Sequence, residues 1–285
     1  MSGIGMASTA ERRPGTSRPV RVLAAIAGLV LVGFIAVEGA QLFSDYHALR
    51  QELANSHLNA VVGYQDISPM PSYATKPLNW VHEDGDHTML WAGWTNGAHS
   101  WFQIRRGDLV MDQITHTWAS DAVRAIDYPI FEQGGGDRWS KIPEEAQVAG
   151  LVHRGIDAVY PIDVLRKVEV VNDLFDEVPL LVLFTPFVVD DQAVTVFEAT
   201  LAGQRITMGL TGYFLEGRQL LYDRGSRSLW TARAEALACV AGPKKGASLK
   251  LVSRLLPVAW AQWRADHPAS RLVVGADRSR GKPNL

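Results

Sequence analysis

The chain has 285 residues with a formal net charge of −2, and 47% of its residues are hydrophobic. Nine Trp favour a globular core with large aromatic clusters, and the charge excludes a protein that is drawn to nucleic acid by bulk positive charge. Cys239 is the single cysteine, so an intramolecular disulfide and any site built from several thiolates are excluded as well.

The N-terminus carries a predicted membrane anchor. Residues 1–21 are polar and basic, and residues 22–37 contain no charge. A helix over residues 22–43 would be about 33 Å long, close to the thickness of the hydrocarbon core of a bilayer. Because basic flanks stay in the cytoplasm, we expect residues 1–21 there and the main domain in the periplasm or another extracytoplasmic space. The anchor residues include Val22, Leu29, Phe34 and Val37.

A cleaved signal peptide is the alternative interpretation of this segment, because its basic and apolar regions have the same pattern. Cleavage requires small residues at two positions before the cut, and Val37-Glu38-Gly39 is a poor match. We therefore favour an uncleaved, single-pass anchor in the inner (cytoplasmic) membrane.

Residues 44–78 are expected to form a juxtamembrane helix and then a proline-rich linker. Apolar residues recur at helical spacing from Leu42 to Leu53, and such a stripe packs on its own domain or faces a partner helix. The prolines of the linker are Pro69, Pro71 and Pro77, and prolines so closely spaced favour extended backbone.

Two β-rich regions follow. Residues 79–125 are predicted to form a β meander, in which Asn96-Gly97 marks a hairpin turn. Residues 126–276 contain a predicted hairpin at Arg154-Gly155, a buried strand at Leu180–Phe184 and a helix over Pro257–His267. The predicted fold class is thus α+β and β-rich, with antiparallel meanders and a few short helices after the anchor. Whether the two regions form one domain or two is left open.

The end of the chain is different in character. Residues 277–285 are polar and carry Arg and Lys, so we expect a disordered tail.

Several short stretches in the second region occur together in a characteristic order. They are Ile126-Asp127-Tyr128-Pro129, Ala158-Val159-Tyr160-Pro161-Ile162, Val170-Val171-Asn172-Asp173, Tyr222-Asp223-Arg224, Ser228-Leu229-Trp230, Ala241-Gly242-Pro243, and Trp260 through Trp263 to His267-Pro268. On these residues the chain resembles the domain-of-unknown-function 3179 family of bacterial and archaeal proteins, over about residues 126–275. The resemblance implies no established activity.

The chain departs from the pattern of that family at the three positions of the His and the two Cys. Family members read Trp-His-Glu before the Val-Asn-Asp stretch and Cys-Pro-x-Cys-Gly after the apolar strand, a set that resembles a metal or redox site. Here Val168 stands in place of the His, and Thr185 and Val188 stand in place of the two Cys. The resemblance therefore implies a vacated family site, which we expect to be packed as ordinary interior.

Other candidate sites are weighed against plain structural roles. His82 and His87 flank an acidic turn and could hold a metal, but a solvated hairpin loop explains them as well. His99, His116 and Asp127 could form an acid–base group, although half-buried histidines with backbone partners are the simpler interpretation.

A ligand pocket is a further possibility, because polar and aromatic residues lie at predicted strand ends in the family-like region. Turn-capping Asp residues and an Asp–Arg structural pair are the alternative. Cys239 lies in an apolar run and is predicted to be an inert buried thiol. The residues of the possible pocket are Asp173, Tyr213, Tyr222, Asp223, Arg224 and Trp230.

The leading functional hypothesis is a membrane-anchored accessory or scaffold subunit of a larger membrane complex, without catalysis. The expected partners are membrane lipid and other subunits, with no nucleic acid and no cofactor. The alternatives are a small-ligand binder or enzyme that uses Asp173, Asp223 and Arg224, and a metal-handling periplasmic protein.

Overall fold

The computed structural model describes residues 76–95, 97–185 and 194–277. The predicted anchor with Val22, Leu29, Phe34 and Val37, most of the juxtamembrane segment, Val188 and the tail after Asp277 lie outside these residues. Neither α-helix of the described part of the chain is long and apolar enough to cross a membrane. Strands and helices are numbered below in chain order.

A three-stranded antiparallel sheet forms the N-terminal part of the described structure. Its strands are β1 (Val81–Asp84), β2 (His87–Thr95) and β3 (Ala98–Arg105). Leu90, Phe102 and Ile104 alternate with polar and aromatic residues and are almost fully buried, as the period of two in a half-buried strand requires. Gly97, at φ +79°, lies in the predicted turn between β2 and β3, where only glycine adopts this angle without strain.

A nine-stranded sheet makes up the centre, and all its pairings are antiparallel. The strands, in chain order, are β4 (Ile114–His116), β8 (Val170–Phe175), β9 (Val178–Phe184), β10 (Val194–Glu198), β13 (Met208–Leu215), β14 (Arg218–Asp223), β15 (Leu229–Ala232), β16 (Ala236–Ala241) and β17 (Ser248–Leu255). Their spatial order is β4-β13-β14-β15-β16-β17-β10-β9-β8.

The sheet curls until its two ends meet at Asn172. The side-chain amide of Asn172 on β8 accepts from the backbone N–H of Met208 on β13 at 2.8 Å and donates to the Met208 carbonyl at 2.9 Å. Asn172 thus connects β8, at one end of the sheet order, to β13, the strand next to the other end.

A five-stranded mixed sheet packs beside it. Its strands are β5 (Pro129–Glu132), β6 (Gln147–His153), β7 (Ile156–Pro161), β18 (Pro257–Ala259) and β19 (Arg271–Ala276), in the order β18-β6-β7-β19-β5. The pair β7–β19 is parallel. The hairpin predicted at Arg154-Gly155 is confirmed as the turn between β6 and β7. A small hairpin of β11 (Thr200–Leu201) and β12 (Gln204–Arg205) completes the strands.

Two short α-helices join these sheets, α1 (Ile162–Val168) and α2 (Trp260–Asp266). The prediction of a helix from Pro257 to His267 is wrong in its first turn, because Pro257–Ala259 forms β18 against β6. Proline lacks a backbone N–H, and an edge strand tolerates that loss. Two 3-10 turns, Met111–Gln113 and Trp139–Lys141, are the remaining regular elements of the described residues.

The hydrophobic core ties the predicted regions together. One cluster lies between the five-stranded sheet and the face of β8–β10 that includes Val171, Val182 and Val196. A second cluster joins Leu90, Phe102 and Ile104 of the first sheet to residues of β13–β16, among them Tyr213 and Leu220. The meander of residues 79–125 and the region that follows it therefore share a core. The β-rich, antiparallel fold with few helices is confirmed.

Candidate functional site

Tyr222 and Arg224, two of the predicted pocket residues, lie in a half-buried ionic cluster. The Arg224 guanidinium donates to Asp121 Oδ2 at 2.7 Å and to Asp127 Oδ1 at 3.3 Å. The Tyr222 hydroxyl donates to Asp121 at 2.5 Å and accepts from Arg224 at 2.9 Å. Asn172 donates its amide N–H to Asp127 at 2.8 Å. Three of the family-like stretches therefore meet here.

The charged side chains of this cluster are paired with one another. Burial raises the pKa of Asp127, although the Arg224 charge and the Asn172 hydrogen bond oppose that shift. Burial and the neighbouring Asp121 carboxylate raise the pKa of Tyr222 well above its usual range. Arg224 already has two carboxylates and a hydroxyl around it, so an anionic ligand would have to displace an internal partner.

Asp223 and Trp230 lie together, but apart from the previous cluster. The Asp223 carboxylate, 1% exposed, accepts from Ser226 N–H at 2.7 Å, Trp230 Nε1 at 3.2 Å and Lys244 Nζ at 3.1 Å. Burial acts to raise the pKa of Asp223, but the hydrogen bonds from Ser226 and Lys244 hold it below its usual value. This carboxylate organises the turn after β14, which is the structural role weighed in the sequence analysis.

Asp173 belongs to a third group. It accepts from the Tyr160 hydroxyl and from Arg271 at 3.3 Å, and the Arg271 guanidinium lies 4.0 Å and 4.1 Å from the ring centroids of Phe131 and Phe175. Burial raises the pKa of Asp173, against the Arg271 charge. The six predicted pocket residues are thus distributed over separate clusters and do not converge on one cavity.

The sixth residue, Tyr213, supports an aromatic cluster next to the first sheet. Its hydroxyl donates to the Trp91 carbonyl at 2.8 Å, and its ring centroid lies 4.4 Å from that of His116. His116 also stacks on Trp80 at 5.3 Å. Burial, helped by the Lys76 ammonium, lowers the pKa of His116 to about 3, although the Trp118 backbone opposes the shift.

The outer side of the first sheet presents rings to solvent. Trp94 is 57% exposed and meets His99 edge-on at 4.7 Å. Trp101 lies 6.1 Å from His99 and 4.7 Å from His82. We call the set His82, Trp94, His99 and Trp101 the aromatic face. Sequence reasoning grouped His82 with His87, and His99 with His116 and Asp127, and missed the face, because only the register of β1–β3 places these rings side by side.

His99 is fixed in this face by a buried neighbour. The Trp91 indole N–H donates to His99 Nδ1 at 3.0 Å, so a neutral His99 carries its proton on Nε2. His99 and Asp127 lie in different clusters, the aromatic face and the Arg224 cluster. Asp127 bonds to Arg224 and Asn172, whereas His116 packs among Trp80, Trp91 and Tyr213.

The weak metal candidates also have other neighbours. His82 Nδ1 lies 3.3 Å from the Asn79 carbonyl and its ring contacts Trp101, and His87 pairs across the sheet with Arg105. Within the described ranges, no group of three or more His, Cys, Asp or Glu side chains is arranged to hold a metal ion. Cys239 is buried, and burial raises its pKa to about 11, as expected of an unreactive thiol.

Two of the three positions at which the resemblance implies a vacated site lie in the described residues. Val168 is 4% exposed at the end of α1, and Thr185 follows β9. The Phe184 N–H donates to the Glu169 carbonyl at 2.8 Å, so Val168 and Thr185 flank one inter-strand hydrogen bond. Glu169 keeps the third position of the family tripeptide. It is 1% exposed, has φ +60°, and accepts from Gln219 at 2.5 Å.

A histidine–aspartate pair was not anticipated, although His267 lies in a family-like stretch. His267 Nδ1 is 2.8 Å from Asp157 Oδ2, and its ring stacks on Trp263 at 3.9 Å. Gly150 leaves the space for Trp263, since a Cβ there would lie 2.0 Å from the indole. The pair ties the end of α2 to β7.

The comparison with known families places most of these clusters in one domain. The model of the family described as "Protein of unknown function (DUF3179)" matches residues 120–283, and the chain belongs to this family. No curated protein and no solved structure matches the chain. The aromatic face, in residues 82–101, precedes the matched region.

Proposed function

We propose that the protein is a membrane-anchored accessory or scaffold subunit that binds a partner protein through the aromatic face, without catalysing a reaction. The observation that carries the proposal is the exposure of Trp94 beside three further rings. Tryptophan is enriched among the residues that dominate binding energy at protein interfaces, and an exposed cluster of rings marks an interaction surface.

Pre-organisation of the face supports the proposal. The Trp91–His99 hydrogen bond and the Tyr213 hydroxyl bond hold the supporting residues in place. Rings that are already ordered lose little conformational freedom when a partner binds, so more of the contact energy appears as affinity.

The internal pairing of the charged side chains also supports a protein without catalytic activity. Arg224, Asp223 and Asp173 each have charged partners within 3.3 Å, so a ligand would compete with internal ion pairs. This favours the binding hypothesis over the small-ligand or enzyme alternative. The orientation in the membrane, with residues 1–21 in the cytoplasm and the β-rich region outside it, belongs to the same proposal and follows from the basic flank.

The test is native mass spectrometry of the full chain extracted in mild detergent from its own membrane. We expect a complex of defined stoichiometry from the wild type, and the mass of the single chain from the Trp94→Ala/Trp101→Ala variant. Val152→Ala is the matched control, since Val152 is 55% exposed on β6 and should leave the complex intact. A wild type that migrates as a lone monomer, or a double variant that keeps the complex, would sink the proposal.

A further inference from the structure

A cavity of about 500 Å³ opens where the first sheet meets the turn after β16. Its volume lies in the range of small-molecule sites. One wall comes from β2 and β3, and the other comes from the Gly242–Lys245 turn of the family domain. The lining residues are His87, Gln103, Arg105, Asp108, Gly242, Pro243 and Lys245.

Strand register brings the polar groups of the first wall together. His87 and Arg105 are directly opposed in the β2–β3 pairing, and Gln103 is opposed to Met89 two residues further along. Residues two apart in a strand share a face, so Gln103 and Arg105 project to the same side.

The carboxylate in the cavity is already neutralised. Asp108 Oδ1 accepts from Lys245 Nζ at 2.8 Å, and Oδ2 accepts from the Gly242 N–H at 3.3 Å. The Asp108 side chain is only 7% exposed. Its charge therefore serves to fasten the turn to the loop after β3, and Lys245 is held at the edge of the cavity.

Arg105 has no such partner. Among the residues that the structure describes, no side chain or carbonyl accepts a hydrogen bond from its guanidinium, and the side chains of His87 and Gln103 also make no hydrogen bond. Asp84 on β1 is the cross-strand partner of His87. His87 therefore lies between Asp84 and Arg105 across the three strands. The cavity is open to solvent, and its wall carries the exposed Arg105 guanidinium, which has no ion-pair partner among the described residues.

We infer that this cavity binds an oxyanion, the carboxylate or phosphate group of a small organic anion. The planar Arg105 guanidinium offers paired N–H groups that match the oxygens of either group, and the Lys245 charge is already balanced by Asp108. The Gln103 amide and the His87 ring provide hydrogen-bonding groups for the rest of the ligand. The inference rests on the cavity and is independent of docking at the aromatic face.

Isothermal titration of the full chain in detergent tests it, with inorganic phosphate and citrate as separate probes. Sodium chloride at matched ionic strength controls for screening. We expect at least one probe to bind, and Arg105→Gln to weaken that binding about tenfold or more, since a charge-assisted hydrogen bond is lost. Arg218→Gln makes the same charge change at the exposed start of β14 and should bind as the wild type does.

The two probes separate the possible sources of the oxyanion. Phosphate alone points to a phosphorylated ligand, citrate alone to a carboxylate, and binding of both to a general oxyanion site. Absence of binding for both probes at about ten millimolar overturns the inference, as does an Arg105→Gln variant that binds like the wild type. Thermal melting of Arg105→Gln without anion shows whether its fold is intact. Failure here leaves the mass of the native complex, and so the proposed function, unaffected.

Discussion

The first sheet and the family domain use their polar and aromatic side chains in different ways. In the family domain Asp223 and Asp173 are 1% exposed and surrounded by donors. On the first sheet Trp94 is more than half exposed, and Arg105 has no partner among the described residues. A buried polar group needs its partners, because an unmet hydrogen bond there costs free energy. In the family domain these carboxylates stabilise the fold through internal pairs, whereas Trp94 and Arg105 of the first sheet remain accessible to a binding partner.

The largest expected effect comes from removing the best-satisfied carboxylate. Asp223→Ala leaves the Lys244 ammonium, the Ser226 N–H and the Trp230 indole without their acceptor. We expect the free energy of unfolding to fall by about 3–5 kcal/mol, as when one member of a buried ion pair is deleted. Denaturant unfolding followed by near-ultraviolet circular dichroism measures it.

The control for that variant comes from the first sheet. Asp84→Ala removes an exposed carboxylate on β1 and should change the stability by no more than about 0.5 kcal/mol. Equal losses in the free energy of unfolding for the two variants would contradict the proposed difference between the two regions.

The next largest expected effect is a loss of stability at low pH. It comes from His116, which lies where the first sheet meets the family domain. The pKa of His116 is about 3 in the folded chain against 6.5 for an ordinary histidine. The unfolded chain therefore binds more protons between these values, so this contribution to stability is complete above pH 6.5 and is lost as the pH falls. Between pH 6.5 and 4.5 the loss is about 2 kcal/mol, because the slope approaches about 1.4 kcal/mol per pH unit only below the unfolded pKa.

His116→Phe tests this expectation, because Phe keeps a ring against Trp80 and Tyr213 but cannot be protonated. We expect the stability of the variant to fall less steeply with pH than that of the wild type. The difference between the two proteins at pH 7 reports the changes in packing and in hydrogen bonding to the Trp118 backbone. Parallel pH profiles would mean that His116 does not carry the acid sensitivity.

The smallest effect is expected on the aromatic face. Trp94→Ala should lower the free energy of unfolding by at most about 1 kcal/mol, because more than half of the side chain is already in water. Trp230→Ala, at a fully buried position, should cost about 3–5 kcal/mol. Paired thermal melts compare the two, and a Trp94 variant as unstable as the Trp230 variant would make Trp94 a core residue.

Local patterns predicted the elements that depend on neighbours in the chain. Asn96-Gly97 and Arg154-Gly155 mark turns through backbone angles that few residues adopt, and the apolar run Leu180–Phe184 marks a buried strand. Pro257 misled the prediction, since proline suits both the first turn of a helix and an edge strand. The segment forms a strand because it pairs with β6, which lies more than a hundred residues earlier in the chain.

In the candidate sites, too, local sequence patterns did not predict the contacts between distant segments. Tyr222, Asp223 and Arg224 were predicted to line one pocket because they lie at a predicted strand end in the family-like region. Successive residues of a strand point to opposite faces, so on β14 Tyr222 reaches Asp121 and Asp223 reaches Lys244. Arg224, the first residue of the turn that follows, also bonds to Asp121. Asp121 and Lys244 carried no signal of their own in the sequence.

The sequence by itself determined the β-rich class and the membership of the family. These follow from residue identity, turn chemistry and period, which are local properties. Only the tertiary structure decided which charges pair, that the first sheet shares a core with β13–β16, and that His82, Trp94, His99 and Trp101 form one face. The physical reason is that register and curvature of the sheets set these distances, and both depend on packing between segments far apart in the chain.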